Sequence, residues 1–224
     1  MGRLLVLRIP PHEAPGRSDE HARDSGILPG SPDRDEAHED DSELVRLLRA
    51  RSPHAGDLLV DRCRKHVERV LYRVMGRTDA LADLTQDVFL AVFEGIDSLR
   101  EDARFRGWLT QVIVFVARGS IRKRRRKWWL VFTDVVPEQN ARQVDSETSE
   151  ALRAVYDVLD QMDPDDRIAF ALRKIDGMEL TEVAAACAVS LATIKRRLVR
   201  AEISFLALAA DRDALAPWLE KGAS

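Results

Sequence analysis

The chain has 224 residues, of which 45% are hydrophobic and 33% are charged, and its formal net charge is −3. This balance is typical of a soluble globular protein and excludes a wholly disordered chain. No apolar run approaches the roughly 20 residues that span a bilayer, so we expect no membrane partner. Cys63 and Cys187 lie far apart without metal-ligand spacing. They predict two reduced, buried thiols and a cytoplasmic location, and we expect no metal and no cofactor.

The N-terminal segment, residues 1–40, is rich in proline, glycine, serine and acidic residues, and we predict a disordered acidic tail. Residues 1–43 contain 11 acidic and 5 basic side chains, a net of −6. Residues 100–127 contain 10 basic and 2 acidic ones, a net of +8. Because a partner responds to the local field, this asymmetry favours an anionic partner for the basic stretch. The alternative is a basic face that is only solvated.

Apolar residues at steps of three and four predict an all-α fold in two small helical domains, residues 41–132 and 150–210. Residues 133–149 are polar and lack this periodicity, so they are predicted to form a flexible linker. Residues 211–224 are predicted to be a short C-terminal tail. We find no alternating pattern that would indicate a β-strand.

A helix is predicted around residues 79–97, and its two sides differ sharply. One side is apolar and carries Leu81, Leu84, Val88, Val92 and Ile96. The opposite arc combines acidic and amide side chains with one leucine: Asp79, Asp83, Gln86, Asp87, Leu90 and Glu94. A leucine set among carboxylates suits the docking of a basic protein partner, although a single exposed leucine is also commonplace.

The next predicted helix, from about 104 to 127, interleaves aromatic rings with cationic side chains. Its outward arc carries Arg104, Trp108, Gln111, Phe115, Arg118 and Arg122. Rings stack on the bases of a single strand, and guanidinium groups neutralise its backbone. Lys123, in the basic run that follows, adds a phosphate contact. Alternatively, Trp108 and Phe115 pack against a neighbouring helix.

The second domain contains a predicted helix-turn-helix. Asp163 and Pro164 form a helix-start signal further upstream, with the aspartate as the cap. A short helix from Leu180 to Cys187 then meets a tight turn at Ala188-Val189. Ser190 can cap the helix that follows through its hydroxyl group.

In that following helix an apolar stripe is predicted to dock on the preceding helices. The stripe consists of Leu191, Ile194, Leu198, Ala201, Phe205 and Leu208. The opposite side is small or polar, and it and its flanks carry Ala192, Thr193, Lys195, Arg196, Arg197 and Arg200. Thr193 and Arg196 can reach base edges in a major groove, whereas Lys195, Arg197 and Arg200 suit phosphates. The alternative is an ordinary amphipathic helix with a basic surface.

Taken together, these segments resemble the extracytoplasmic-function (ECF) group of the sigma-70 family, over roughly residues 44–130 and 150–208. Residues 83–90, D-L-T-Q-D-V-F-L, are similar to the family's D-L-x-Q-E-x-F-L segment, and Trp108-Leu109 to its W-L pair. Four short segments are similar to the family's E-I-A, V-S, T-V-K and R-L-x-R-A motifs: residues 182–184, 189–190, 193–195 and 197–201.

The resemblance implies a sigma factor with region 2 in the first domain and region 4 in the second. Region 4 would read the −35 element as duplex through Ser190 and the polar residues of the helix that follows. Region 2 would capture the −10 element as a single strand on the arc from Arg104 to Lys123. The acidic arc, with Asp83, Gln86, Asp87, Leu90 and Glu94, would bind the clamp helices of RNA polymerase core. The polymerase flap, promoter DNA and an anti-sigma factor are the implied partners.

The chain departs from the family pattern at three positions. Phe115 stands where the family usually has asparagine, and Gly119 where it has aspartate. Phe115 can replace hydrogen bonding with stacking, which would change the −10 base preference. Ala188 stands where the family has the turn glycine, and this costs about 1–2 kcal/mol if the backbone there is left-handed.

The sequence leaves two other functions open. A helix-turn-helix regulator could bind duplex DNA as a dimer without joining polymerase; it would need neither the acidic arc nor the aromatic–arginine helix. A nuclease could use Asp79, Asp83 and Glu94 on a metal ion, but carboxylates alone are a weak signal for such a site.

Overall fold

The computed structural model describes residues 38–76, 78–130 and 146–216, and every regular element in those ranges is helical. The predicted all-α class is therefore confirmed. The predicted acidic tail up to residue 37, residues 133–145 of the predicted linker and the C-terminal end from residue 217 lie outside the described residues.

The helices fall into two groups in chain order. We call the first group the first block: α1 (His38–Arg49), α2 (Ala55–Met75), α3 (Leu81–Gly95) and α4 (Phe105–Leu130). We call the second group the second block: α5 (Ser146–Gln161), α6 (Pro164–Phe170), α7 (Leu180–Ala186) and α8 (Leu191–Ala209). A π-helical turn, Ala171–Ile175, prolongs α6. Helix α5 begins inside the segment predicted to be a linker. The helix start was missed because the first turn of α5 is polar and its apolar residues follow only after it.

The first block packs α2, α3 and α4 around a shared core, with α1 against α2. In α2 the buried side chains recur at steps of three and four, as in Leu59, Cys63, Val67 and Val70, so one stripe of the helix faces the core. Each fully buried aliphatic side chain contributes about 1.5–3 kcal/mol to this packing. Gly76 ends α2 with φ of 74°, and its N–H donates to the carbonyl of Tyr72.

The second block packs α8 against α5, α6 and α7. The inner stripe of α8 is buried from Ile194 to Phe205, and the Phe205 ring stacks on Phe170 with centroids 4.7 Å apart. Leu191 was predicted to belong to this stripe, but it is exposed, because it opens α8 one turn before the buried stripe begins. Asp163 caps α6 by accepting from the backbone N–H groups of Asp165 and Asp166, which confirms the predicted helix start.

Both cysteines lie in these cores, Cys63 in α2 and Cys187 at the end of α7. Their thiols are free and buried, as predicted. Burial raises the pKa of Cys63 to about 11, and burial also raises the pKa of Cys187. Neither thiol is therefore disposed to react in the folded protein.

The two blocks are in direct contact. Helix α4 packs against α6 and α7, and α2 packs against the π-helical turn. We call these contacts the block interface. It brings the outer side of α4 toward the helix-turn-helix, and so it positions both predicted DNA-binding surfaces relative to each other.

Candidate nucleic-acid and polymerase interfaces

The helix-turn-helix has the local geometry that its sequence predicts. Glu179 and Glu182 form a capping box that starts α7. Ala188 has φ of 54°, which is left-handed, and the next N–H, that of Val189, donates to the carbonyl of Ala184. The hydroxyl oxygen of Ser190 accepts from the N–H of Thr193 at 3.2 Å and so caps α8. The turn therefore fixes the position of α8 relative to α7.

The first two turns of α8 present a polar outer face. Ala192, Lys195 and Arg196 are exposed, while Ile194 between them is buried. The Thr193 hydroxyl lies 2.9 Å from the Ser190 hydroxyl, and Arg196 donates to it at 3.5 Å. A small residue, a hydroxyl and two cations on one open face can enter a groove and contact both bases and phosphates.

Arg197 and Arg200, which were also predicted to bind phosphates, have carboxylate partners instead. Arg197 pairs with Asp165 at 3.4 Å, and its side chain is only 16% exposed. Arg200 makes a two-point contact with Asp166, at 3.1 and 2.8 Å, but remains largely exposed. In this conformation Arg197 is thus covered, and a phosphate would have to displace Asp166 from Arg200.

The outer side of α4 combines an open ring with an open stretch of backbone. Phe115 is 70% exposed, so the alternative in which it packs on a neighbouring helix is wrong. One turn later, a Cβ added to Gly119 would meet no atom within 4 Å. Arg122, 59% exposed, and the exposed Lys123 follow on the next turn. A base stacked on Phe115 would find free space over Gly119 and cations nearby for its backbone.

Trp108 differs from Phe115. Its ring is half-buried, because it lies against the end of α3, where a Cβ on Gly95 would stand 3.4 Å from it, and against Phe105 at a centroid distance of 6.2 Å. The prediction that Trp108 stands free on the outward arc is therefore wrong in part. On the same arc Gln111 is half-buried, and Arg104 is exposed and paired with Glu101 at 2.7 Å.

Arg118 links the outer side of α4 to the second block. Its Nε lies 2.7 Å from a carboxylate oxygen of Asp165, and its side chain is 20% exposed. Arg122 reaches the other oxygen of Asp165 at 3.5 Å. Since Asp165 also pairs with Arg197, one carboxylate contacts arginines from both predicted DNA-binding surfaces.

A buried arginine supports the same interface. Arg167 is fully buried and donates to the carbonyl oxygens of Val74 at 3.1 and 3.0 Å and of Met75 at 3.3 Å, and it pairs with Asp160. These carbonyls end α2 and carry partial negative charge, which suits a cation. Burial nevertheless lowers the pKa of Arg167.

Tyr156 adds a third contact between the blocks. Its hydroxyl donates to the carbonyl oxygens of Tyr72 at 3.1 Å and Arg73 at 3.3 Å. Tyr156, Asp165 and Arg167 were not predicted from the sequence to have a role. The only available signal was the acidic run after Asp163, which predicts a helix start and says nothing about a partner in another block.

The acidic arc of α3 is arranged as its periodicity predicts. Its five candidate polymerase-binding residues are all exposed: Asp83, Gln86, Asp87, Leu90 and Glu94. Leu90 is 53% exposed, whereas Leu84, Val88 and Val92 on the opposite side are buried. The structure thus presents an apolar side chain on an acidic surface, while the opposite side of the helix is buried in the core.

The residues that the structure describes bear on two other kinds of site, a metal site and a membrane span. Within them, no group of three or more His, Cys, Asp or Glu side chains could hold a metal ion, so Asp79, Asp83 and Glu94 form no such group. In the same ranges, none of the helices has the length and apolar character needed to cross a membrane.

Comparisons with known proteins identify the family of this chain. The model of sigma-70 region 2 matches residues 59–127, which lie in α2 to α4, and that of sigma-70 region 4 matches residues 152–203, which lie in α5 to α8. Together the two matches cover more than half of the chain.

Individual relatives agree with these matches. The ECF RNA polymerase sigma-E factor of Haemophilus influenzae is 26% identical over 174 residues, which are 72% of this chain and 90% of that protein. The ECF RNA polymerase sigma factor SigE of Mycolicibacterium smegmatis is 29% identical over 155 residues, 64% of this chain and 57% of that one.

Among solved structures, CnrH in complex with the cytosolic domain of CnrY has a TM-score of 0.53 at 22% identity. The match covers 77% of this chain and 99% of that chain, and it shows a shared fold. With both regional matches in the order region 2 then region 4, the chain belongs to the ECF group of the sigma-70 family and is a sigma factor of transcription initiation.

Proposed function

We propose that this sigma factor directs RNA polymerase core to promoters through three surfaces on three helices. The acidic arc of α3 binds core polymerase, the outer face of α8 reads the −35 duplex, and the outer side of α4 captures the −10 strand. The observation that carries this proposal is the exposed Leu90 among exposed carboxylates. A helix-turn-helix by itself would support only general duplex binding.

The polymerase surface is supported by charge and by packing. Asp83, Asp87 and Glu94 are exposed on the same side of α3 as Leu90. Such a surface is complementary to a basic helical partner, whose cations meet the carboxylates while its apolar side chains cover the leucine. The clamp helices of core polymerase are the partner that we propose for it.

The −35 surface divides between base and phosphate contacts. Arg196 is exposed and can donate two hydrogen bonds to a guanine edge, and Thr193 stands beside it. Lys195 suits a phosphate, Ser190 fixes the start of α8, and Ala192 allows the backbone to come close. Arg197 and Arg200 join these contacts only when they leave Asp165 and Asp166.

The −10 surface relies on stacking. Phe115 offers a ring to an unpaired base, and each such stack is worth about 1–3 kcal/mol. Because a ring has no hydrogen-bonding edge, we expect a broader base preference than an asparagine would give. Arg122 and Lys123 neutralise the strand, and Trp108 supports the helix start from its half-buried position.

Melting a promoter in this way needs binding free energy and no chemistry. Extruding a base costs a few kcal/mol, which contacts to the unpaired strand offset. We therefore propose that the chain is not an enzyme, that it acts in the cytoplasm, and that it contacts the polymerase flap through the second block. An anti-sigma factor is the further partner that we propose.

Replacing Leu90 tests the polymerase surface. We expect Leu90→Arg to weaken binding to core polymerase at least about 30-fold, because it places a cation where a basic partner docks (about 2 kcal/mol or more). Ser98→Arg adds the same charge at another exposed position of the first block and should bind normally. Gel-filtration co-elution and transcription from a promoter library measure the two outcomes. Retained co-elution of Leu90→Arg would refute the proposed surface.

The same assays separate the sigma factor from the competing regulator. A dimeric helix-turn-helix regulator would bind promoter duplex but would neither co-elute with core polymerase nor start transcripts with it. If the unmodified chain behaves in that way, the function proposed for α3 and α4 is wrong.

A further inference from the structure

A short connecting segment, residues 96–104, joins α3, which carries the proposed polymerase surface, to α4, which carries the −10 surface. The segment contains two 3₁₀ turns, Ile96–Ser98 and Asp102–Arg104, and Leu99 and Glu101 between them have extended backbones. Because 3₁₀ turns have poorer hydrogen-bond geometry than α-helices, the position of this segment depends on its contacts with the rest of the first block.

Helix α1 supplies polar contacts to this segment and to the start of α4. Arg49, the last residue of α1, donates to the carbonyl oxygen of Leu99 at 2.6 Å and pairs with Asp102 at 2.9 Å. Near the start of α1, the carboxylate of Asp41 accepts two hydrogen bonds from Arg106, at 2.9 and 3.0 Å. Arg106 lies in the first turn of α4. We call these contacts of Arg49 and Asp41 the α1 anchor.

The turn that follows α1 contacts α3 as well. Arg51 has φ of 53°, a left-handed conformation that an L side chain disfavours. Its guanidinium donates to the carbonyl oxygen of Phe93, near the end of α3, and pairs with Asp97 at 3.1 Å. Backbone strain of this kind persists where the surrounding structure fixes it. Arg49 and Arg51 therefore link the end of α3 and the connecting segment to the same end of α1.

We propose that Arg49 and Asp41 are positioning residues for capture of the −10 strand. By holding the connecting segment and the first turn of α4, the α1 anchor sets where Arg104 and Trp108 stand while α3 is bound to core polymerase. This inference rests on the function proposed above, and it adds α1 to the helices that promoter opening needs.

The two candidate strand contacts nearest to the α1 anchor depend directly on the connecting segment. Arg104 is its last residue. The Trp108 ring packs against Phe105 and against the end of α3 at Gly95, so it touches the helices on both sides of the segment. Leu109, which is fully buried, keeps the next part of α4 in the core. A shift of the segment would therefore move Arg104 and Trp108 without unfolding α4.

The exposure of the anchoring groups indicates that Arg49 contributes orientation more than stability. The side chains of Arg49 and Asp102 are 36% and 35% exposed, and ion pairs so exposed add little to the free energy of unfolding. Arg49 nevertheless bonds to a backbone carbonyl and to a carboxylate at once, which restricts the direction of both. The side chain of Asp41 is only 5% exposed, so its carboxylate requires the two hydrogen bonds from Arg106.

Substitutions of Arg49 and Asp102 in the full chain test the proposal. Arg49→Ala removes both contacts of the guanidinium, and Arg49→Lys keeps a cation that can reach one partner. Arg46→Ala is the matched control, because it removes the same charge from the same helix, where Arg46 pairs with Glu43. Asp102→Asn removes a carboxylate two residues before Arg104. Charge alone would then favour DNA binding, whereas loss of the α1 anchor weakens strand capture.

Each variant is reconstituted with core polymerase on a promoter that the unmodified factor opens. Permanganate reactivity of the melted strand measures opening, and gel-filtration co-elution measures core binding. We expect Arg49→Ala to lower open-complex formation at least about fivefold, the loss typical of one intramolecular hydrogen bond. Asp102→Asn should also lower it, and Arg49→Lys should lie between Arg49→Ala and the unmodified chain. Arg46→Ala should open the promoter normally, and every variant should co-elute with core polymerase.

Several results would overturn the positioning role. They are normal opening by Arg49→Ala, an equal loss of opening in Arg46→Ala, and stronger opening by Asp102→Asn. Loss of core binding together with opening would assign Arg49 to folding alone and would also overturn it. If circular dichroism shows that Arg49→Ala does not fold, normal opening by both Arg49→Lys and Asp102→Asn overturns the proposal. Failure of the proposed function looks different, because the unmodified chain would then neither bind core polymerase nor open a promoter.

Discussion

Ala188 shows how much free energy a single residue can cost in the turn of a helix-turn-helix. Its φ of 54° lies in the left-handed region, where an L side chain costs about 1–2 kcal/mol relative to glycine. The turn keeps this shape because the N–H groups of Ala188 and Val189 donate to the carbonyls of Ala185 and Ala184. The helix-turn-helix therefore stores strain at the point that orients α8.

Relieving that strain should stabilise the protein. We expect Ala188→Gly to raise the free energy of unfolding by about 1 kcal/mol, since glycine adopts this φ without a clash. Urea denaturation followed by circular dichroism measures the change. The control, Ala185→Gly at an exposed position of α7, should lower the same quantity by up to about 1 kcal/mol. An Ala188→Gly protein no more stable than the unmodified one would contradict the strain.

The residues that sequence predicts well are those whose partners are local. Ser190 caps a backbone group three residues away, and Asp163 caps α6 in the same manner, so both could be inferred from their position. Arg167 bonds to Val74, 93 residues earlier in the chain. No short pattern specifies that pairing, because it depends on how whole helices come together.

At the scale of the element, α4 carries two rings that periodicity assigns to the same outward arc. Phe115 is exposed to solvent, but Trp108 packs against the end of α3 at Gly95. Helical spacing gives the direction in which a side chain points, and it leaves open what a neighbouring helix covers. The same reason explains α8, where Arg196 is free to reach DNA while Arg197 is held by Asp165.

Removing the exposed ring should impair promoter opening without harming the fold. We expect Phe115→Ala to reduce open-complex formation about tenfold, corresponding to the loss of one stacked base. Permanganate reactivity of the melted strand in the reconstituted holoenzyme measures this. The melting temperature of the free protein should stay within a degree or two, because the ring is largely exposed.

Phe115→Tyr keeps a stacking ring and should retain nearly all of the open complex. If Phe115→Ala opens promoters normally, or if Phe115→Tyr fails as badly, stacking is not what the ring contributes.

For the whole molecule, the sequence predicts two helical domains and the structure adds their contact. Polar and charged side chains such as Tyr156, Asp165 and Arg118 make much of that contact, and in a sequence they resemble a solvated surface. Sequence patterning therefore does not mark these polar pairings across the block interface. The net charge of +8 in residues 100–127 favours an anionic partner, and one carboxylate that contacts two arginines of this stretch, that of Asp165, lies in the same chain.

Gly76 offers a test of that contact. With φ of 74°, it ends α2 directly under the Tyr156 ring, and an added Cβ would stand 2.7 Å from two ring atoms. We expect Gly76→Ala to lower the free energy of unfolding by about 2 kcal/mol, from backbone strain and from this clash. In a Tyr156→Ala background the clash disappears, so the two substitutions should couple by about 0.5–3 kcal/mol in a double-mutant cycle. Strictly additive losses of unfolding free energy would show that the Tyr156 ring of α5 does not pack against Gly76.

The composition of the block interface has a consequence for temperature. Exposing apolar surface raises the heat capacity, whereas exposing polar surface lowers it. Separating the blocks frees the Arg167 guanidinium and the carbonyls that end α2 together with apolar side chains, so the two contributions oppose each other. The heat capacity of separating the blocks should then be smaller than for a purely apolar interface of the same area. The partly exposed ion pairs of Arg122 with Asp165 and of Arg200 with Asp166 should in addition weaken as the ionic strength rises.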